Sequence, residues 1–411
     1  VLTSSLSDSC LSSLLSEFTI MPAVYSRPER TNRLGTETAY AVSLEASQLK
    51  AKGKTIYPFH IGDLNFSTPQ VVIDAAKKSL DAGKTGYCPA AGIPELRKAL
   101  AQRIGGDRGI EYTMENVSVQ PGGKPVIGKF LLSVVEDGEE VLYPSPGYPI
   151  YESLIDYHGG VPKAYTYIDT GSEFKIDIDQ IRSLITPKTK VLIYNNPSNP
   201  MGALSSPEEM QALADLCIQH DLWVLSDEPY FDIVYDDAKF EHRSIASLPG
   251  MQDRTVILYT FSKNYAMTGW RVGAAIGPKE VIDQITKLNT NMEACTSHFL
   301  QHASVECLEK RKQTDQFLFD MLAELKDRRD LLVKLVNEVP GFSCFTPPST
   351  FYLCVKVTKA MDMLGFKNIE DFRRSILAET GVSFCTREHF GEAQSFDTDH
   401  YVRFAYSSAS Q

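Results

Sequence analysis

Two hydrophobic rhythms take turns between residues 116 and 278. Short runs such as Val117-Ser118-Val119-Gln120, Glu140-Val141-Leu142-Tyr143, Val191-Leu192-Ile193-Tyr194, Trp223-Val224-Leu225-Ser226 and Thr255 to Phe261 are apolar and rich in β-branched residues. They predict strands buried on both faces. The stretches between them carry apolar residues at helical spacing. Pro125 to Val135 is one predicted helix. Pro207 to His220 is another, with Pro at its start, Glu208 and Glu209 in its first turn, and Met210, Leu213, Leu216 and Cys217 on one stripe. Such alternation predicts an α/β fold, a mostly parallel sheet covered by helices. Functional groups in these sheets gather beyond the carboxyl ends of the strands, where Gly122, Asn195, Asp227 and Lys263 fall.

The texture changes after Pro278. Lys279 to Val339 reads as long, charged and helical. The runs Phe342 to Phe345, Phe351 to Val355 and Tyr401 to Phe404 read as strands, interleaved with a helix near Ile369–Leu377. These predict a second, smaller α+β domain joined by N-terminal residues. The expected division is a flexible Ser-rich extension (1–20), an arm and part of the small domain (21–60), a large domain (61–290) and the small C-terminal domain (291–411). Met21 is a candidate natural start, and the polar end from Ser407 to Gln411 is expected to fray.

Composition narrows the function classes. The chain has 411 residues, 43% of them apolar, enough for a sizeable core. No apolar run reaches the length of about 18 residues that a membrane span needs. Asp plus Glu is 52 against 41 Lys plus Arg, a net charge of −11, which argues against nucleic acid as a partner. The eight cysteines lack any C-x-x-C spacing, and Cys217 and Cys354 sit in apolar surroundings. Free thiols in a reducing compartment follow, with a cytoplasmic location expected and organellar targeting left open. The histidines show no metal-binding signature, so no metal site is expected.

Gly123-Lys124-Pro125-Val126-Ile127-Gly128-Lys129-Phe130 nearly spells a phosphate-binding P-loop. It lacks the Ser or Thr that would hold Mg²⁺, and Lys129 falls inside the predicted helix. Gly122 and Gly123 have another use: between a strand and a helix N-terminus, free backbone N–H groups favour an anion. The segment from Thr260 to Gly273 carries the most information. A lone loop lysine is ordinarily a surface lysine. Lys263, however, follows the hydroxyls of Thr260 and Ser262 and precedes Arg271, which lies next to apolar Val272-Gly273. An Arg beside hydroxyls suits a phosphate dianion. A lysine near that phosphate suits a Schiff base with an aldehyde cofactor.

On these residues the chain resembles the class I/II aminotransferases of the pyridoxal 5′-phosphate (PLP) fold type I, most closely the bacterial-type aspartate aminotransferase branch. The resemblance spans roughly residues 30–407. It is carried by Ile61-Gly62-Asp63-Leu64-Asn65-Phe66, Thr85-Gly86-Tyr87 with Ala91 to Arg97, Pro121 to Lys124, Ser145-Pro146-Gly147-Tyr148, Asn196-Pro197-Ser198-Asn199-Pro200-Met201-Gly202, Ser226-Asp227-Glu228-Pro229-Tyr230, the Lys263 segment and Tyr401-Val402-Arg403-Phe404.

The resemblance implies a three-layer αβα large domain, PLP as cofactor, and a homodimer with shared sites. It implies that Lys263 anchors PLP and shuttles the substrate proton, and that Asp227 pairs with the pyridine nitrogen. Tyr230 and Asn199 would bond the cofactor's phenolic oxygen, and Tyr148 would stack on its ring. Thr260, Ser262, Arg271 and the Gly122–Lys124 amides would hold the phosphate, joined by Tyr87 from the neighbouring subunit. Arg403 would grip the substrate α-carboxylate, with Gly62 and Asn199 beside it. Lys124 would contact the distal carboxylate of an acidic donor, which favours aspartate or glutamate with a 2-oxo acid acceptor. Departures from the family pattern are Met201 for Thr, Thr260 for Ser, the Gly62–Phe66 segment, and Pro229 before Tyr230. The last two touch specificity more than cofactor binding. A PLP-dependent C–S lyase or synthase, and a non-catalytic PLP-binding regulator, are the rival readings.

Overall fold

The computed structural model describes residues 25–35, 38–391, 394 and 398–408. The expected extension 1–20 and the candidate start Met21 lie outside them. Strands β1 (Val117–Gln120), β2 (Glu140–Pro144), β3 (Val161–Tyr165), β4 (Thr189–Asn195), β5 (Trp223–Asp227), β6 (Thr255–Thr260) and β7 (Gly273–Ile276) form a seven-stranded sheet in the order β1-β7-β6-β5-β4-β2-β3. β2 through β6 pair in parallel, whereas β7 runs antiparallel to both β1 and β6.

Helices α1 (Ala39–Ala51), α2 (Gln70–Asp81), α3 (Pro94–Arg108), α4 (Lys124–Val134), α5 (Ile150–Tyr157), α6 (Pro207–Gln219), α7 (Lys279–Met292), α8 (His298–Glu309), α9 (Arg311–Glu338) and α10 (Ile369–Thr380) surround the sheets. The period-2 alternation of β6 sorts its side chains between the two covering layers. Ile257 and Tyr259 pack with α2, α3 and α8. Val256 and Leu258 pack with α4, α5 and α7. Local chemistry sets the ends of α6: the Ser206 hydroxyl accepts from the Glu209 N–H, and the Glu209 carboxylate accepts from the Ser206 N–H. Such a reciprocal cap contributes about 1 kcal/mol.

The smaller unit holds a four-stranded antiparallel sheet of β8 (Ser343–Cys344), β9 (Tyr352–Lys356), β10 (Cys385–Thr386) and β11 (Tyr401–Ala405), in the order β8-β9-β11-β10. Tyr57–Pro58 pairs with Val382–Ser383, tying an N-terminal segment to this unit. The long helical stretch after Pro278 is divided into α7, α8 and α9. Ala303, Cys307 and Leu308 of α8 belong to the core of the large unit. We therefore propose the domain break near Lys310, where α9 begins, rather than at residue 290. The expected fraying does not begin at Ser407. That residue is buried, its hydroxyl donates to the Asp63 carbonyl, and its own carbonyl accepts from Arg328 at 2.7 Å.

The P-loop look-alike is also resolved. Lys129 lies inside α4, buried, donating to Gln120 and Asn289, each at 2.7 Å, and to Glu293 at 2.5 Å. The seven described cysteines are all free. Among the described residues, no helix is long and apolar enough to cross a membrane.

A buried ion pair joins α3 to the end of β5. Arg108 Nε lies 2.6 Å from Glu228 Oε2, with the two side chains 1% and 2% exposed. The guanidinium also stacks on the Phe231 ring at 3.6 Å. Ser226 and Ser244 donate to the other carboxylate oxygen. Breaking the pair from one side strands a buried charge, which costs about 3–5 kcal/mol. Arg108→Met is expected to destabilise by that amount in urea denaturation. The double variant Arg108→Met/Glu228→Gln is expected to recover part of the loss. Single-variant stability equal to that of the native chain would contradict the assignment.

Candidate active site

A cavity of about 750 Å³ opens between the carboxyl edge of the large sheet and the smaller unit. Register explains what gathers there. Asn195 at the end of β4 pairs with Asp227 at the end of β5. Gly273 pairs with both Gln120 and Thr260. Because β7 is antiparallel, its first residue, not its last, meets this edge. Arg271, two residues upstream, is thereby delivered beside the ends of β1 and β6.

One end of the cavity is an anion cradle. Gly122 has φ 97°, and a Cβ there would sit 2.1 Å from Arg271 Nη2, so only glycine lets the backbone approach the guanidinium. Gly122 backs onto Arg271, while Gly123, Lys124, Thr260, Ser262 and Arg271 line the cavity itself. Gly123 begins α4 with no side-chain cap, leaving the first amides of the helix to an incoming anion. The Thr260 and Ser262 hydroxyls are 2.8 Å apart, and Arg271 Nη1 donates to the Thr268 carbonyl at 2.9 Å. These are the groups a phosphate dianion requires.

Asp227 lines the same cavity. It is 5% exposed, and its carboxylate accepts from the Tyr151 hydroxyl. Asn195 Nδ2 holds the Asp227 backbone carbonyl at 2.9 Å. No cation pairs with this carboxylate among the described residues. Burial pushes its pKa up to about 7; the Tyr151 hydrogen bond opposes the rise and the Glu228 charge adds to it. A buried acid in this state fits a protonated ring nitrogen, which would supply the missing positive charge.

Lys263 follows β6 in a short helical turn, Phe261–Asn264. Its Nζ donates to the Gly62 carbonyl at 2.6 Å and lies 5.6 Å from the Phe351 ring centroid. Tyr230, on the same wall, shares a 2.8 Å hydrogen bond with the Tyr352 hydroxyl. Tyr148 packs edge-on against Tyr151, with Lys124 Nζ 5.7 Å from its ring.

Arg403, 5% exposed, comes to the cavity from β11 of the smaller unit. Its guanidinium donates to Asn199 Oδ1 at 3.1 Å and to the His60 carbonyl at 2.6 Å. The Tyr352 and Phe390 rings each lie 4.5 Å from Arg403 Cζ. Both hydrogen-bond partners are neutral, and Nε is buried without a partner. A carboxylate completes this arrangement.

Every predicted site residue except Gly122 and Tyr87 therefore lines one cavity. Tyr87 is 90% exposed and stands away from it. Sequence reasoning missed Tyr151, Tyr352, His60, His389 and Phe390, which line the same cavity. Tyr151 carried one faint signal, following Tyr148 by three residues. Tyr352 lay in a run that read only as strand.

The chain is similar to known proteins over most of its length. The family profile "Aminotransferase class I and II" matches residues 54–409. An aspartate aminotransferase of Bacillus subtilis is 31% identical over 384 residues, covering 93% of this chain and 94% of that one. An aspartate/prephenate aminotransferase of Cereibacter sphaeroides is 33% identical, covering 92% and 94%. The solved aspartate aminotransferase of Thermus thermophilus with maleate superposes with a TM-score of 0.86 at 30% identity, covering 94% and 96%.

The Asp227 environment makes a pH-dependent prediction for protein free of any bound cation. A carboxyl whose folded pKa is raised holds its proton in the folded state after the unfolded chain has lost it. Stability therefore falls as pH rises from about 4 toward 7, then levels off. Asp227→Asn removes this effect. The variant is expected to melt several degrees above the native chain at about pH 8 and together with it near pH 4, read by calorimetry. A melting difference independent of pH would contradict the account.

Proposed function

Because the chain belongs to the class I and II aminotransferases, a PLP-dependent family acting on amino acids and 2-oxo acids, we propose that it moves the amino group of an acidic L-amino acid to a 2-oxo acid in two alternating half-reactions. One observation carries the reading. Among the described residues, a buried carboxylate without a cation (Asp227) and a buried guanidinium without an anion (Arg403) face one cavity, with the Lys263 amine on its wall.

Bound PLP supplies an aldehyde that captures amines and a ring that draws electrons from the substrate's Cα–H bond. The cradle of Thr260, Ser262, Arg271 and the Gly122–Lys124 amides would hold its phosphate. Asp227, oriented by Tyr151, would keep a proton on the ring nitrogen. Tyr230 and Asn199 would serve the phenolic oxygen, and Tyr148 would cover the ring face. Lys263 would hold the aldehyde carbon, and its amine, once free, would take the proton from the substrate Cα and return it on the other side of the transfer.

Arg403 takes the α-carboxylate through two parallel hydrogen bonds. Asn199 and the His60 carbonyl fix the guanidinium in its plane, while Tyr352 and Phe390 keep water from its faces. This orients the Cα–H bond toward Lys263. Lys124 lines the cavity at the start of α4 and places a positive charge where a second carboxylate would lie. The aspartate-named relatives support the same donor class. Tyr87, exposed on this protomer, is suited to complete the cradle of a second copy, giving a dimer with shared sites.

The test is a matrix of donors against 2-oxo acid acceptors. The native protein is expected to transfer from L-aspartate or L-glutamate to 2-oxoglutarate or oxaloacetate. Lys263→Ala is expected to lose at least about 10³-fold in turnover. Lys124→Ala is expected to raise KM for L-aspartate about tenfold and to leave L-alanine unchanged. Release of pyruvate and ammonia without an acceptor would overturn the transfer reading. Unaltered aspartate kinetics in Lys124→Ala would remove the argument for an acidic donor.

A further inference from the structure

The part of the cavity wall that follows β10 carries an imidazole that none of the roles above uses. His389 precedes Phe390, whose ring packs on the Arg403 guanidinium, and both line the cavity. His389 is 7% exposed. Its Nδ1 edge is turned toward β10: the Thr386 N–H donates to Nδ1 at 3.2 Å, and the Thr386 hydroxyl lies 2.8 Å away. Taking the Thr386 backbone N–H as the donor to Nδ1 assigns the proton of the neutral ring to Nε2. Among the described residues, Nε2 has no hydrogen-bond partner, yet it is not one of the sealed, unpaired buried atoms. It is therefore a donor open to the cavity.

We propose that His389 reads the far end of the donor's side chain, its Nε2–H donating a hydrogen bond to an oxygen there. The geometry supports this placement. Arg403 and its aromatic cover are committed to the α-carboxylate, so the neighbouring imidazole meets what extends beyond Cα. Lys124 comes from the large unit and His389 from the segment after β10, so the two clasp the distal group from both units.

The charged groups facing the ring fix its state. Glu370 Oε1 lies 3.5 Å from Nδ1, and the same carboxylate is held by Arg373 Nε at 2.8 Å and by the Thr386 hydroxyl at 2.6 Å. Burial holds the His389 pKa below the usual histidine value; the Glu370 charge pulls it up, and the Arg373 and Arg403 charges pull it down. A neutral N–H donor suits a carboxylate or carboxamide oxygen. An aliphatic donor would leave that N–H unpaired, a penalty that discriminates more strongly than a missing methylene does.

The inference rests on the acidic-donor reading above, and the test separates the two. Steady-state kinetics are compared for L-aspartate, L-asparagine and L-leucine in the native enzyme, His389→Ala and His389→Gln. Melting temperature and visible absorbance serve as controls for folding and cofactor loading. His389→Ala is expected to lose about tenfold in kcat/KM for the oxygen-tipped donors, chiefly through KM, with L-leucine unaffected. His389→Gln, which keeps an N–H donor, is expected to recover part of the loss. If the alanine variant does not fold, His389→Gln against His389→Leu gives the same comparison. A native enzyme that ignores aspartate would overturn the acidic-donor reading. The asparagine-to-leucine ratio would still decide the role of His389. Equal losses for all three donors would overturn the inference.

Discussion

A carboxylate without a cation, held at the end of β5, is the constraint around which this molecule is arranged. Asp227 is buried, accepts a hydrogen bond from Tyr151, and is kept off the ordinary carboxyl pKa by its surroundings. Its neighbour Glu228 is buried too, but it is neutralised by Arg108 and two serine hydroxyls. Two adjacent acids thus have opposite fates. One is a structural charge with a full set of partners. The other is left incomplete, and an incomplete buried charge persists only where something else completes it.

The same logic applies to Arg403 and to the amides and Arg271 at the cradle. Each is an ion or dipole set whose complement is missing among the described residues. Topology makes these three sites meet. Parallel strands bring Asn195, Asp227 and Thr260 to one edge, and the single reversal at β7 adds Arg271 to it. The smaller unit closes the cavity with Arg403, Phe390 and His389. A ligand with an anion at one end, a basic ring nitrogen at the other and a carboxylate-bearing partner fits all three at once.

Much of this was legible in the sequence because it rests on local rules. Strands buried on both faces are apolar throughout, so β1, β2, β4, β5 and β6 stand out. α6 announces itself through Pro207, Glu209 and its apolar stripe. β3 does not, because Val161-Pro162-Lys163-Ala164-Tyr165 is a partly exposed edge strand with no full apolar run. The placement of α8 with the large unit is a tertiary fact, since its buried Ala303 and Cys307 suit either core. The roles of Tyr151 and His389 depend on which side chains the fold brings within hydrogen-bond reach, and no spacing encodes that. Ser407 looked like a tail because it is polar, yet its hydroxyl and carbonyl both find buried partners.

The central claim is that Asp227 awaits a cation that the cofactor supplies. Isotope-edited infrared spectroscopy of the carboxyl stretch, with Asp227→Asn to assign the band, measures its ionisation directly. The account predicts a midpoint near 7 in protein stripped of cofactor, and full ionisation across the neutral and mildly acidic range once PLP is bound. A carboxyl that titrates near 7 in both states, or that is already ionised throughout in the stripped protein, would contradict it.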